Sequence, residues 1–204
     1  MKVLSHRGYW KEPAEKNTPL AFHRSFDLGF GTETDVRDRL GELVISHDPA
    51  TTESISLSAF IDMVGGRNLP LAMNVKADGL ASGLAEAFDR QGLDWFVFDM
   101  SVPDTRMQLK AGNPVFARMS EVERTPAWLD QAKGVWLDAF SDTWYNAATI
   151  RDLYSRGLRV CVVSAELHGR EYGELWSMLK SMSDLDNLMI CTDLPEECQR
   201  FFQS

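Results

Sequence analysis

Short apolar runs alternate with amphipathic segments along most of the chain. The apolar runs are rich in branched and aromatic residues and nearly continuous, which is typical of strands buried on both faces of a parallel sheet. In chain order they read KVLS, PLAMNVK, DWFVFDM, PVFARM, GVWLDAF, LRVCVVSAE and NLMICTD. A further strand is predicted from residue 31, so the pattern predicts about eight strands.

The segments between these runs carry apolar residues at helical spacing. Thr18 and Pro19 predict the start of the first helix, because Thr is a favoured N-cap residue and Pro fits the first helical position. Further helices are predicted over residues 57–66, 79–92, 104–112, 126–134, 146–157, 171–182 and 194–202.

Strands that alternate with helices predict an α/β fold, and about eight such units fit a (β/α)₈ TIM barrel. The chain has 204 residues and no segment that resembles a long linker, so we expect a single domain over residues 1–204. An open doubly wound sheet is the alternative. It is less favoured because no glycine-rich phosphate loop follows the first strand.

Polar side chains follow the predicted strands at their carboxyl ends. A barrel gathers these ends at one face, which is where TIM-barrel enzymes place their active sites. The residues at or just past these ends are His6, Arg7, Glu33, Asp35, Asn74, Lys76, Asp99, Arg118, Asp138, Glu166 and Asp193. The sequence therefore predicts a polar pocket at the C-terminal face of the barrel.

Residues 31–48 combine two carboxylates and a histidine in one predicted hairpin. Side chains two positions apart on a strand share a face, so Glu33 and Asp35 point the same way. Gly41 permits a turn, and the returning strand ends at His47. Two neighbouring carboxylates are unfavourable unless a cation or a basic side chain lies between them, so this hairpin is a candidate site.

Composition and charge exclude several classes of function. The net charge of −9 argues against nucleic acid or an anionic membrane surface as the main partner. No apolar run approaches the ~20 residues of a transmembrane helix, and the N-terminus lacks the apolar core of a signal peptide. The three cysteines have no metal-ligand spacing, which is typical of a reducing, cytoplasmic setting.

Six short motifs occur in a fixed order along the chain: HRG, NT before the first helix, ETD, SHDP after the hairpin, NVK and TDLP. In this order they resemble the glycerophosphodiester phosphodiesterase family over most of the chain. The resemblance implies a TIM-barrel hydrolase that cleaves a small phosphodiester to a phosphomonoester and an alcohol. It also implies one divalent metal ion, which we expect to be Mg²⁺, Ca²⁺ or Mn²⁺.

The resemblance implies a role for each motif residue. His6 and His47 are the expected acid and base, Arg7 and Lys76 the expected phosphate-binding groups, and Glu33, Asp35 and Asn74 the expected metal ligands. The residue types suit this chemistry, because histidine transfers protons near neutral pH. Carboxylates bind hard cations, and Arg and Lys bind phosphate.

The chain departs from the family pattern at three places. Lys16 stands where the family usually has a glutamate before Asn-Thr, which we interpret as a change in the loop. Asn74 stands where the family usually has a glutamate, so we expect weaker metal binding. The seventh strand ends in VVSAELHG, where many relatives have a different sequence. We expect Glu166 either to supply the missing carboxylate or to contact the substrate phosphate.

The other polar residues are interpreted as structural. We expect Asp99 and Asp138 to pair with Arg118 or Lys76, Asp193 to bind backbone at the next helix start, and His168 to be an ordinary loop residue. Two further functions remain open: a metal-independent phospholipase-C-like lyase or transferase, and a phosphodiester-binding module without catalysis.

Overall fold

The computed structural model describes residues 1–89 and 91–203. Arg90, which falls within the predicted helix over residues 79–92, and Ser204 lie outside the described residues. The strands are β1 (Lys2–His6), β2 (Gly31–Arg39), β3 (Glu42–Ile45), β4 (Ile55–Ser56), β5 (Leu71–Val75), β6 (Trp95–Phe98), β7 (Phe116–Met119), β8 (Gly134–Leu137), β9 (Arg159–Val163) and β10 (Met189–Thr192).

The helices are α1 (Pro19–Asp27), α2 (Leu57–Val64), α3 (Ala81–Phe88), α4 (Val102–Ala111), α5 (Ala147–Ser155), α6 (Gly173–Lys180) and α7 (Pro195–Gln203). Two short 3₁₀ helices, Pro13–Glu15 and Ala165–His168, follow β1 and β9. None of the described helices is long and apolar enough to span a bilayer.

The parallel strands form a closed ring. β1 pairs with β2 and β10, and the pairing continues from β2 through β5 to β6 and from β10 through β9 and β8 to β7. A parallel bridge between Val97 and Val115 joins β6 to the residue before β7, and the Val97 N–H donates to the Pro114 carbonyl at 2.9 Å. The predicted α/β fold is therefore confirmed, and the order of the eight parallel strands is the one that the predicted (β/α)₈ barrel requires. β3 pairs antiparallel with β2, and β4 pairs antiparallel with β3.

The apolar runs are buried on both faces of the barrel wall, as their sequence predicts. Inward-facing side chains, including Leu4, Phe96, Phe116 and Trp136, form one cluster inside the ring. The alternate side chains form two further clusters under the helices. Burial of these faces provides the main stabilisation of the fold and fixes which side chains reach the mouth.

The predicted helix over residues 126–134 does not form, so this prediction was wrong. Trp128 has φ of 54°, a left-handed conformation that an α-helix does not tolerate. The N–H groups of Gln131 and Ala132 both donate to the Trp128 carbonyl, which makes a turn instead. This turn leads directly into β8. β7 and β8 are thus joined without a covering helix.

Candidate active site

His6 is held between two carboxylates at the end of β1. Its Nδ1 lies 2.8 Å from Oδ1 of Asp193, the residue after β10, and its Nε2 lies 3.9 Å from Oε2 of Glu33 on β2. β1 pairs with both of these strands, so the barrel topology itself brings the three side chains together. The Asp193 contact fixes the ring orientation and leaves Nε2 to face Glu33.

A left-handed turn ends β1 immediately after His6. Arg7 and Gly8 have φ of 59° and 79°. A Cβ on Gly8 would lie 2.8 Å from Cβ of Ala21, so glycine is required here for both conformation and space. The turn is fixed by hydrogen bonds from the Arg7 N–H to the Glu33 carbonyl and from the Gly8 N–H to the Thr32 hydroxyl.

Glu33 is almost fully buried, and its environment opposes ionisation. Burial, and secondarily the charge of Asp35 two positions away on the same face of β2, raises the pKa of Glu33 to about 7. His6, Arg7 and Lys76 act in the opposite direction but do not cancel this effect. A carboxyl group with a pKa near neutral changes between its protonated and its ionised form with a small change in pH, so it can either hold a proton or bind a cation.

Asp35 forms ion pairs with two basic residues, Arg7 and Lys76. Arg7 Nε lies 3.0 Å from Oδ2 of Asp35, and Lys76 Nζ lies 3.2 Å from Oδ1 of Asp35. Both contacts are ion pairs, and neither has the geometry of a hydrogen bond. The Asn17 side-chain amide donates to Oδ2 at 2.8 Å. Asp35 is fully buried, so these two cations and the amide offset the cost of its charge. Arg7 and Lys76, the predicted phosphate-binding pair, are therefore brought together.

Asn74 lies beside both carboxylates of β2. It is opposite Asp35 in the parallel register of β5 and β2, and its Nδ2 donates to Oε1 of Glu33 at 3.3 Å. Oδ1 of Asn74 is a buried acceptor without a hydrogen-bond donor, whereas Oδ1 of Asp35 lacks a hydrogen bond but faces Lys76 Nζ at 3.2 Å. Such atoms are unfavourable unless a cation or a donor completes them.

The predicted metal ligands suit a hard divalent cation in their chemistry. Glu33, Asp35 and Asn74 offer oxygen atoms from adjacent strands, and Oδ1 of Asn74 has no hydrogen-bond donor among the described residues. Within residues 1–89 and 91–203, no group of three or more His, Cys, Asp or Glu side chains converges as a metal centre. The third donor here is an amide, which carries no charge.

His47 is placed at the rim of the site, on the loop after β3. Its side chain is 45% exposed, and Nδ1 lies 2.9 Å from Oδ1 of Asp48. It lines an open cavity together with Arg7, Lys16 and Asn17. The structure therefore brings His47 to the Arg7 side of the site, on a segment that is far less buried than the one that carries His6.

Glu166 reaches β10. One of its oxygens accepts from the Thr192 hydroxyl at 2.5 Å and from the Asp193 N–H at 3.2 Å, and the other accepts from the Ser164 hydroxyl. Among the described residues, these are its hydrogen-bond donors. Glu166 thereby fixes the backbone of Asp193, which in turn holds His6.

The opposite half of the mouth contains two further pairs. Asp99 and Arg118 form an ion pair at 2.7 Å, as the sequence predicts. Asp138 contacts Nε2 of His168 at 2.8 Å, so the prediction that Asp138 pairs with Arg118 or Lys76 was wrong.

The sequence predicts that His168 is an ordinary loop residue, which was wrong, because His168 ends the second 3₁₀ helix and contacts Asp138. Asp193, which the sequence predicts to bind backbone, contacts His6 with its side chain. No local pattern indicates either partner.

Neither a protein-family model nor the sequence of a curated protein matches the chain. Solved structures match over its full length. A glycerophosphodiester phosphodiesterase from Agrobacterium tumefaciens str. C58 superposes with a TM-score of 0.73 at 17% identity, covering 100% of both chains. A phosphodiesterase of Oleispira antarctica in complex with the product sn-glycerol-3-phosphate gives 0.72 at 16%, covering 100% of this chain and 97% of that one.

The chain has the fold of the glycerophosphodiester phosphodiesterases. A Ca²⁺-dependent phosphatidylinositol-specific phospholipase C from Streptomyces antibioticus is similar at a TM-score of 0.52 and 11% identity, covering 97% of this chain and 95% of that one. These likenesses agree with the ring of parallel strands.

Proposed function

We propose that this protein hydrolyses glycerophosphodiesters, or closely related polyol and sugar phosphodiesters, to a phosphomonoester and an alcohol. The observation that carries the proposal is the position of His6 between Asp193 and Glu33, next to the Arg7–Asp35–Lys76 group. The likeness to phosphodiesterases, one of them bound to sn-glycerol-3-phosphate, supports the same reaction and product class.

Arg7 and Lys76 bind the phosphate. Two cations share the single charge of Asp35, so one positive charge remains for the single negative charge of a phosphodiester. Arg7 supplies further guanidinium N–H groups for the non-bridging oxygens, and Lys76 acts as a compact point charge. The substrate charge thus balances the charge of the Arg7–Asp35–Lys76 group.

His6 and His47 transfer the protons. A neighbouring substrate hydroxyl or a water molecule attacks phosphorus and gives its proton to one histidine. The bond from phosphorus to the leaving alcohol oxygen breaks, and the other histidine protonates that oxygen. Attack by water gives the phosphomonoester directly, whereas attack by the substrate hydroxyl gives a cyclic phosphodiester that a water molecule then opens to the phosphomonoester. Asp193 holds His6 in one orientation and stabilises the imidazolium that forms during the cycle. His47 approaches from the rim, on the side that Arg7 lines.

Glu33, Asp35 and Asn74 are the residues that would hold a divalent metal ion. Bound there, Mg²⁺, Ca²⁺ or Mn²⁺ would neutralise charge on the phosphate oxygens. The buried Oδ1 of Asn74, which has no hydrogen-bond donor, and the repulsion between Glu33 and Asp35 support this assignment. In the same proposal Glu166 acts through Asp193 and supplies no ligand, because its oxygens already accept from Ser164, Thr192 and Asp193.

One observation favours a second reaction, a metal-independent phospholipase-C-like cleavage. Both oxygens of Asp35 already face a cation, Arg7 on one side and Lys76 on the other. In that case the basic side chains alone stabilise the phosphate charge, and a substrate hydroxyl is the nucleophile, so the first product is a cyclic phosphodiester.

The experiment is to follow glycerol phosphate release from a panel of glycerophosphodiesters by ³¹P NMR. Each substrate is incubated with Mg²⁺, Mn²⁺ or Ca²⁺ and again with a chelator. Release that stops with chelator supports the metal-assisted hydrolase. Release that continues, with a cyclic phosphate as first product, supports the second reaction. A panel without any cleavage would contradict both and leave a binding module.

A further inference from the structure

Helix α4 turns polar side chains towards the protein interior and apolar side chains towards solvent. Asp104 and Gln108 are its buried residues, whereas Val102 and Met107 are 51% and 49% exposed. A helix on the outside of a barrel normally has the opposite arrangement. Burial of a carboxylate and an amide is costly unless both are hydrogen-bonded, so the partners of Asp104 and Gln108 show what this helix does.

A chain of hydrogen bonds runs from Asp104 through Gln108 to Asn113, a buried residue that follows α4; these three residues are here called the α4 polar chain. The Gln108 side-chain amide donates to Oδ2 of Asp104 at 3.0 Å, and the Asn113 side-chain amide donates to Oε1 of Gln108 at 2.7 Å. A carboxylate only accepts, so Asp104 fixes the direction in which both amides donate.

The two ends of the α4 polar chain hold the loop between β5 and α3. Oδ1 of Asp104 accepts from the Gly79 N–H at 2.9 Å, and the Asn113 amide donates to the Ala81 carbonyl at 2.9 Å. Leu80, at the N-cap position of α3, has no side-chain oxygen with which to cap the helix. Side chains of the neighbouring helix and of Asn113 therefore fix this loop at two points.

The same loop begins with Lys76, one of the two proposed phosphate-binding residues. The Lys76 N–H donates to the Val36 carbonyl at 2.9 Å, which ties the start of the loop to β2. Gly79 forms the turn of the loop at φ of 89°, and its N–H is the group that Asp104 holds. A lysine side chain is long and flexible, so the position of its backbone limits which acceptors Nζ can reach.

We propose that Asp104 and Gln108 are positioning residues for phosphate binding, because through Gly79 they hold the loop that carries Lys76. The inference rests on the proposed function and adds to it two buried residues of an outer helix that act only through this loop. Gln108 orients the Asp104 carboxylate, and Asp104 holds Gly79. A displacement of the Lys76 charge by about 1 Å is enough to weaken its contact with a phosphate oxygen substantially.

Two variants separate positioning from stability. In the double variant Asp104→Leu/Gln108→Met, apolar groups of similar size replace both partners of a buried hydrogen bond, which is nearly neutral for folding, but Gly79 loses its acceptor. In Asp104→Asn the acceptor for Gly79 remains, whereas the new amide meets the Gln108 amide and lowers stability. Met107→Leu, on the exposed face of α4, is the matched control.

Isothermal titration calorimetry measures sn-glycerol-3-phosphate binding at one Mg²⁺ concentration, and thermal unfolding is followed in parallel. We expect the double variant to bind at least about ten-fold more weakly than wild type at a similar thermal midpoint. Asp104→Asn should bind within about two-fold of wild type although its midpoint is lower. Met107→Leu should match wild type in both. In a Lys76→Met background the double variant should weaken binding by less than about two-fold further, because both changes remove the same contact.

Affinities that fall with the thermal midpoint across the variants would overturn the proposal, because they indicate a purely structural role. Wild-type affinity in the double variant would also overturn it, as would a loss that multiplies with that of Lys76→Met. Loss of affinity in Asp104→Asn would do the same even if the double variant did not fold. These outcomes leave the proposed function intact when Lys76→Met alone weakens binding. No binding by wild type, or wild-type affinity in Lys76→Met, would contradict phosphate binding by Lys76 and remove both proposals.

Discussion

Asp193 holds His6 by a 2.8 Å contact between Oδ1 and Nδ1, although 187 residues separate them in the chain. The contact exists because β10 is the parallel neighbour of β1, which closes the barrel at this point. A histidine held at Nδ1 presents Nε2 in one tautomer and one orientation, as proton transfer requires.

We expect Asp193→Asn to lower kcat by about 100-fold with little change in KM, because the amide permits the wrong histidine tautomer. Steady-state kinetics on a glycerophosphodiester, with the pH dependence of kcat, provide the measurement. Asp186→Asn, an exposed aspartate at the other end of β10, is the matched control and should behave like wild type. Unchanged kcat in Asp193→Asn would contradict the positioning role.

His47 is exposed, so its removal separates catalysis from stability. His47→Ala should lower kcat by about 100-fold and shift the thermal midpoint by less than about 2 °C. His23→Ala removes another exposed histidine, on α1 and away from the mouth, and should alter neither quantity. Near-normal turnover in His47→Ala would show that a different group transfers the second proton.

The raised pKa of Glu33 predicts a specific pH dependence of stability. The folded protein holds this proton up to about pH 7, whereas the unfolded chain releases it near the ordinary value of 4.5. Protonated Glu33 therefore contributes stability that is full below about pH 4.5 and is lost as the pH rises through about 7.

Glu33→Gln removes that dependence. Between about pH 5 and about pH 8, with chelator present, wild type should lose on the order of 3 kcal/mol more unfolding free energy than the variant. Urea denaturation at several pH values measures this difference. Exposed Glu42→Gln is the control and should follow wild type. Parallel curves for wild type and Glu33→Gln would contradict the raised pKa.

Asn74 sets the metal affinity in this account. Asn74→Asp adds a negative charge beside two buried carboxylates, so the variant should be less stable than wild type in chelator. With Mg²⁺ or Ca²⁺, calorimetry should show at least about ten-fold tighter binding. Asn68→Asp, exposed and outside the site, should change neither. Identical metal binding by wild type and Asn74→Asp would remove Asn74 from the ligand set.

Local patterns in the sequence predict the alternation of strands and helices and the positions of four site residues. Alternation along a strand is enough to place Glu33 and Asp35 on one face, and strand-end positions are enough to place His6 and Lys76 at the mouth. The helix over residues 126–134 was wrongly predicted, because local helix propensity does not reveal that Trp128 takes a left-handed conformation.

Long-range pairings could not be predicted in the same way. Asp193 meets His6 only when the last strand pairs with the first, and Asp138 meets His168 only when β8 pairs with β9. Any carboxylate at the mouth satisfies the same sequence pattern, so residue type and spacing do not distinguish the partners. The hydrogen bonds that Glu166 accepts from Ser164, Thr192 and Asp193 could not be predicted for the same reason.

The most direct test of the central claim is ³¹P NMR of wild type and His6→Ala with the same glycerophosphodiester under identical metal conditions. The account predicts conversion of the diester signal to glycerol phosphate by wild type, and a rate about 100-fold or more lower for His6→Ala with its fold intact. Equal conversion by both proteins, or none by wild type on any diester, would contradict it.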